Sequence, residues 1–133
     1  MDMTNMTPPQ KLRAHILAWA HDLAGFTMPA LTAETLDAEW QDFDGNDPDV
    51  LYEAQLDVRG GQVETGLPCE FSRHYESKAV AAQMHDGSWI GWTYWYGGGK
   101  HGEPEAVDWI DYAYALTVTE EVKTITVQNF KKT

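Results

Sequence analysis

Ala79-Val80-Ala81-Ala82-Gln83-Met84-His85-Asp86-Gly87-Ser88-Trp89-Ile90-Gly91-Trp92-Thr93-Tyr94-Trp95-Tyr96 is the stretch whose reading decides the fold. Asp86-Gly87 is a hairpin signal that favours a type I′ turn between two antiparallel strands. The second arm is rich in aromatic and branched side chains, which suit a pleated surface. Behind it, Gly97-Gly98-Gly99-Lys100-His101-Gly102 cannot extend a strand or helix cheaply and reads as an exposed loop. Both faces of the aromatic arm are heavy, because Ile90, Trp92, Tyr94 and Tyr96 alternate with Trp89, Thr93 and Trp95. A helical layer covers one sheet face, so either the acidic second helix covers the other or Trp89 and Trp95 are partly exposed.

Upstream, the period is helical. Thr7-Pro8-Pro9-Gln10 combines a capping hydroxyl, first-turn prolines and a capping-box glutamine. Leu12, Ile16, Trp19, Ala20 and Leu23 recur on one face as core, Lys11, Arg13, His21 and Asp22 mostly face away, and Gly25 ends the helix. A shorter helix is expected from Ala33 to Gln41, capped by Thr32, with Leu36, Trp40 and Phe43 sharing a buried side. Asp42 to Pro48 reads as a turn. From Val50 the alternation Val50, Tyr52, Ala54, Leu56, Val58 predicts a half-buried strand ending at Gly60-Gly61. Leu67, Cys69, Phe71 and Tyr75 predict a further strand on which Cys69 is a small buried hydrophobe.

Downstream, Glu103 to Asp111 is either one helical turn begun by Pro104, with Val107 and Ile110 inward, or irregular. Tyr112, Tyr114, Leu116 and Val118 resume a strand pattern, and Val122 to Phe130 is β-rich. Together these elements predict an α+β fold: a long N-terminal helix packed on a curved antiparallel sheet of four to six strands, with a short second helix. A single domain over residues 1–133 is expected, with residues 1–6 and 131–133 frayed.

The 21 acidic and 9 basic residues give a formal charge of −12, unevenly spread: Thr32 to Val58 holds nine carboxylates and no Lys or Arg. Such a segment repels phosphate, so direct nucleic-acid contact is disfavoured. A basic protein, or a protein whose own site accepts DNA, is attracted. Cys69 is the single cysteine, which excludes an intrachain disulfide. The first residues lack a signal-peptide pattern and no apolar run approaches the ~20 residues of a membrane span. A cytoplasmic location without membrane contact is the expectation.

Motifs with chemistry are sparse. The glycine loop lacks the Ser or Thr that a P-loop places after its lysine, since His101 stands there. Asp42, Asp44, Asn46 and Glu53 occupy positions 1, 3, 5 and 12 of a calcium loop, but Asp47 stands where the sharp turn requires glycine. His74, His85 and His101 show no metal-ligand spacing. No metal and no cofactor is therefore expected. His101 with Asp108 or Glu103 is the one acid–base group dense enough for a small hydrolase or isomerase.

The favoured reading is a non-enzymatic protein-interaction module, with another protein or a second copy as partner. Its expected binding surface comprises Trp89, Trp92, Trp95, Tyr96, Gly98, Lys100 and His101. An acidic inhibitor or DNA mimic using the tract from Glu34 to Asp57 is the more specific form. The alternatives are the hydrolase or isomerase, and a binder of single-stranded nucleic acid or sugar through the Trp-rich strand.

Overall fold

The computed structural model describes the backbone of residues 1–133 and every side chain except that of His101. Three helices, α1 (Pro8–Ala24), α2 (Leu36–Asn46) and α3 (Pro48–Arg59), precede four strands, β1 (Val63–Glu64), β2 (Glu76–Gln83), β3 (Trp89–Tyr96) and β4 (Tyr114–Leu116). The strands form an open antiparallel sheet in the order β1-β2-β3-β4. This is the α+β class that the patterning predicts.

The α1 start is as expected: the Thr7 hydroxyl accepts the Gln10 N–H, the Gln10 side chain accepts the Thr7 N–H, and Gly25 closes the helix in the left-handed region. The inward face, however, is rotated from the expected one. Leu12, Ala14, Ile16, Leu17, Ala20 and His21 are buried, while Trp19 and Leu23 are exposed. His21 is buried, not outward, because its Nδ1 donates to the Leu17 carbonyl at 2.8 Å and its ring lies 4.8 Å from that of Phe43. Residues 1–6 are tied down rather than frayed, since the Asp2 N–H donates to the Leu31 carbonyl and Met3 and Met6 enter the core.

The largest correction falls on residues 48–59. The expected strand from Val50 is helix α3, with Leu51, Ala54 and Val58 buried. Pro48 in the first turn, Asp49 near the N-terminus and Arg59 near the C-terminus fit a helix, as do the helix-favouring Leu, Glu, Ala and Gln between them. Helix α2 likewise starts later and runs further than expected. Thr32 to Thr35 form a turn in which the Thr35 hydroxyl accepts the Thr32 N–H, and the helix continues through the expected turn to Asn46.

Residues 67–75 are irregular and largely exposed, not a strand. Pro68 removes one ladder donor, and the Ser72 hydroxyl takes the backbone N–H groups of His74 and Tyr75 in a local turn. Cys69 is exposed. Residues 117–133 also lack regular structure, and Val122, Ile125, Val127 and Phe130 are exposed, so the β-rich pattern there finds no partner strand. Only one short turn, Pro104–Ala106, forms in the ambiguous segment, and Trp109 beyond it is buried.

The hairpin forms with Gln83 opposite Trp89 and Glu76 opposite Tyr96. Its loop is His85-Asp86-Gly87, closed by hydrogen bonds from Met84 N–H to the Ser88 carbonyl and from Gly87 N–H to the Met84 carbonyl. Gly87 has φ 85° and Asp86 is not at positive φ, so this is a three-residue hairpin with a left-handed glycine rather than a type I′ turn.

All three helices lie on one sheet face, where a single cluster joins Leu12, Ile16, Leu36, Leu51, Val80, Ile90 and Trp92. Trp92 has no exposed surface; its indole N–H donates to the Arg59 carbonyl at 2.8 Å and its ring sits 5.5 Å from Trp109. Truncating Trp92 to Ala is expected to cost about 3–5 kcal/mol in urea denaturation. Phe130→Ala, at a position 90 % exposed, is expected to stay within about 0.5 kcal/mol of wild type. Equal sensitivity at the two positions would mean that the tail is packed.

Candidate functional site

The seven residues expected to form a binding surface are not equivalent. Trp92 is enclosed and Trp95 is 8 % exposed, so neither offers a broad contact. Trp89 and Tyr96 are half-buried, and Gly98 and Lys100 are exposed. The side chain of His101 lies outside the described residues. Gly98 has φ 88°, and a Cβ there would stand 2.6 Å from the Tyr75 ring. The glycine loop therefore accommodates a close approach from within its own chain. Tyr75 completes this contact by accepting the Glu103 N–H at its hydroxyl.

Asp108 and Glu103, the expected catalytic partners of His101, have different surroundings. Asp108 is exposed; its Oδ1 accepts the Asp111 N–H and its side chain lines a cleft that Glu103 does not reach. This cleft, of about 720 Å³, opens on the sheet face opposite the helices. Its floor is Thr93 and Trp95, and its sides come from residues 68–70 and 107–114. Ala79, Ala81 and Gly91 share this face with Thr93 and Trp95 and are buried beside the cleft. A Cβ at Gly91 would meet the Tyr114 ring at 2.6 Å and Leu116 at 2.9 Å, so those two side chains lie across the glycine. Burial, with a smaller contribution from Cys69, pushes the Tyr114 phenol above its usual range. Trp109, which the sequence patterning does not single out, is part of both the core and the cleft wall.

The second prominent feature is electrostatic. Seven of the nine carboxylates between Glu34 and Asp57 are exposed, and Glu39 and Asp47 are partly buried. Ion pairs among the described residues join Lys11 to Asp86, Arg13 to Asp111, Lys78 to Glu64 and Lys123 to Glu121, and none involves the nine. The single cation of α3, Arg59, turns to the Trp95 carbonyl and the Tyr94 ring. No group of three or more His, Cys, Asp or Glu side chains suited to a metal ion occurs among the described residues. No helix among them is long and apolar enough to cross a membrane.

A third region collects imidazoles. His15, His21 and His85 line one shallow pocket with Trp19 and Phe26, and the His15 and His85 rings are 6.0 Å apart. The His15 Nδ1 is buried without a partner. Burial and then the neighbouring His85 hold its pKa below 6.5. Nearby, Lys11 and Ser88 bind Asp86 and lower its pKa to about 2.

No protein-family model, curated protein or solved structure matches this chain.

The two perturbed groups define separate pH windows. An unfolded histidine binds a proton near pH 6.5 that folded His15 resists, so its contribution to stability falls as pH drops through and below that value. Asp86 contributes in full above pH 3.8, and that contribution is lost as pH falls toward about 2. Urea denaturation at stepped pH is expected to show a mild loss beginning near pH 6.5 that His15→Gln removes, and a separate acid loss that Asp86→Asn removes. Parallel profiles for wild type and His15→Gln would show that His15 titrates normally.

Proposed function

We propose that this chain is a non-enzymatic cytoplasmic protein that docks its acidic α2–α3 surface onto the positively charged, DNA-accepting face of another protein. The supporting observation is the run of nine carboxylates, none of which takes part in an ion pair among the described residues. Leu36–Arg59 carries eight of these on two short helices and the Asp47 that joins them.

Asp49, Glu53 and Asp57 follow each other at four-residue steps. Asp49 and Glu53 lie on the side of α3 away from the buried Leu51, Ala54 and Val58, and Asp57 accepts the Trp19 indole N–H of α1 at 3.1 Å. Like charges at this spacing destabilise a helix by about 0.2–0.5 kcal/mol per pair. A ridge that weakens its own helix accords with a charge-reading role better than with a merely solubilising one. The Trp-rich strand contributes less to this reading than its composition suggests, because Trp92 lies in the core.

Binding to a panel of purified basic DNA-binding domains tests the proposal. At least one is expected to bind at ~50 mM salt and to release at ~500 mM, as a screened charge interaction requires. Duplex DNA is expected to displace this chain from it. Replacing Asp37, Asp44, Asp49 and Glu53 with Asn or Gln is expected to weaken the complex at least ~10-fold. Failure of every domain to bind, or binding indifferent to salt, would overturn the reading. Glu53→Lys turns two like-charge steps into opposite-charge ones and is expected to stabilise the isolated chain by about 0.5–1 kcal/mol at low salt. An unchanged melting curve would mean the ridge carries no internal repulsion.

A further inference from the structure

We propose that the cleft above Thr93 and Trp95 is a binding site for a small organic cation of the alkylammonium or quaternary ammonium class. The site is separate from the acidic helices, which pack on the other face of the sheet. Four aromatic side chains, Trp95, Trp109, Tyr112 and Tyr114, reach it from β3, from the segment after the Pro104 turn and from β4. Aromatic faces carry the negative part of the ring quadrupole and attract cations, most strongly where water is partly excluded. Trp95 and Trp109 are 8 % and 6 % exposed and form a dehydrated base that shows the cleft only a small surface, while Tyr112 and Tyr114 are more accessible.

The polar lining has the matching sign. Glu70 and Asp108 contribute carboxylates to the cleft, and no Lys or Arg lines it. Neither carboxylate takes part in an ion pair among the described residues. Aromatic walls with two unpaired carboxylates suit a compact cation better than an anion or a neutral apolar ligand. At about 720 Å³ the cleft has room for a ligand of this class. The net charge of −12 also raises the local concentration of cations around the protein.

Titration with choline and with its uncharged isostere 3,3-dimethylbutan-1-ol, followed by tryptophan fluorescence and calorimetry, tests the site. Choline is expected to bind and perturb indole emission, and the neutral alcohol to bind at least ~10-fold more weakly, the share that cation–π attraction supplies. Tyr112 is 71 % exposed, so Tyr112→Ala should fold normally and weaken choline several-fold, as should Asp108→Asn. Neutralising Asp49 and Glu53 on α3 is expected to leave choline affinity within about twofold, which separates this site from general attraction to an acidic protein and from the docking proposal above. Equal binding of the two ligands would show a merely apolar cleft. A response to glucose or cellobiose with none to choline would show a sugar site. Silence toward choline, or identical affinity in Tyr112→Ala and Asp108→Asn, would also overturn the proposal.

Discussion

The burial of Trp92 is the constraint on which the rest of the structure depends. Its backbone pairs with Val80 across the hairpin, its ring meets Trp109, and its indole N–H satisfies the carbonyl of Arg59 near the end of α3. One side chain thus joins the central sheet, the helical layer and the segment leading to β4. An indole so placed needs an acceptor, because a buried N–H without one costs about 1–3 kcal/mol. The acceptor is the carbonyl of a C-terminal helix residue, a group that has no partner within its own helix. Helix end and core tryptophan satisfy each other, and this ties the position of α3 to the hairpin.

Much of this organisation is legible in the sequence where independent signals agree. Thr7, Pro8, Gln10 and Gly25 bracket α1 because each supplies a distinct terminal interaction. The hairpin is legible because a glycine-containing turn separates two apolar runs. Val50 to Arg59 is ambiguous because Leu51, Ala54 and Val58 give a helical stripe while Val50, Tyr52, Ala54, Leu56 and Val58 give an alternating one. Periodicity alone does not choose between them in so short a segment, whereas Pro48 and the terminal charges do. The segments 67–75 and 122–130 show the opposite failure. Their side chains suit a strand, but a strand requires a neighbour, and pairing is a tertiary property.

The candidate surfaces were legible to different degrees for the same reason. Charge is a one-dimensional quantity, so the acidic run is visible before any fold is known. Its lack of compensation is not, because Arg59 lies beside the acidic run in sequence yet turns to the Trp95 carbonyl. The cleft was invisible because its walls come from residues far apart in the chain. Trp109 gave little warning: a lone aromatic in an acidic, irregular stretch has no periodic neighbours to mark it as core.

The two sheet faces explain why the molecule can carry both surfaces. On the helical face Val80, Ile90 and Trp92 project far enough to pack against the helices. On the other face Ala79, Ala81 and Gly91 project little beyond the backbone, so a close-packed second layer of regular elements is not required to bury them. The Tyr114 and Leu116 side chains cover the glycine, and residues 68–70 and 107–114 stand around the remaining space. Small residues in the strands are thus buried by side chains rather than by a helix, and the recess lies beside them over Thr93 and Trp95. A side chain at Gly91 would collide with Tyr114 and Leu116, so the glycine is what lets β4 cover this part of the sheet. The recess over Thr93 and Trp95 and the carboxylates of α2 and α3 therefore lie on opposite sides of the sheet and are separable.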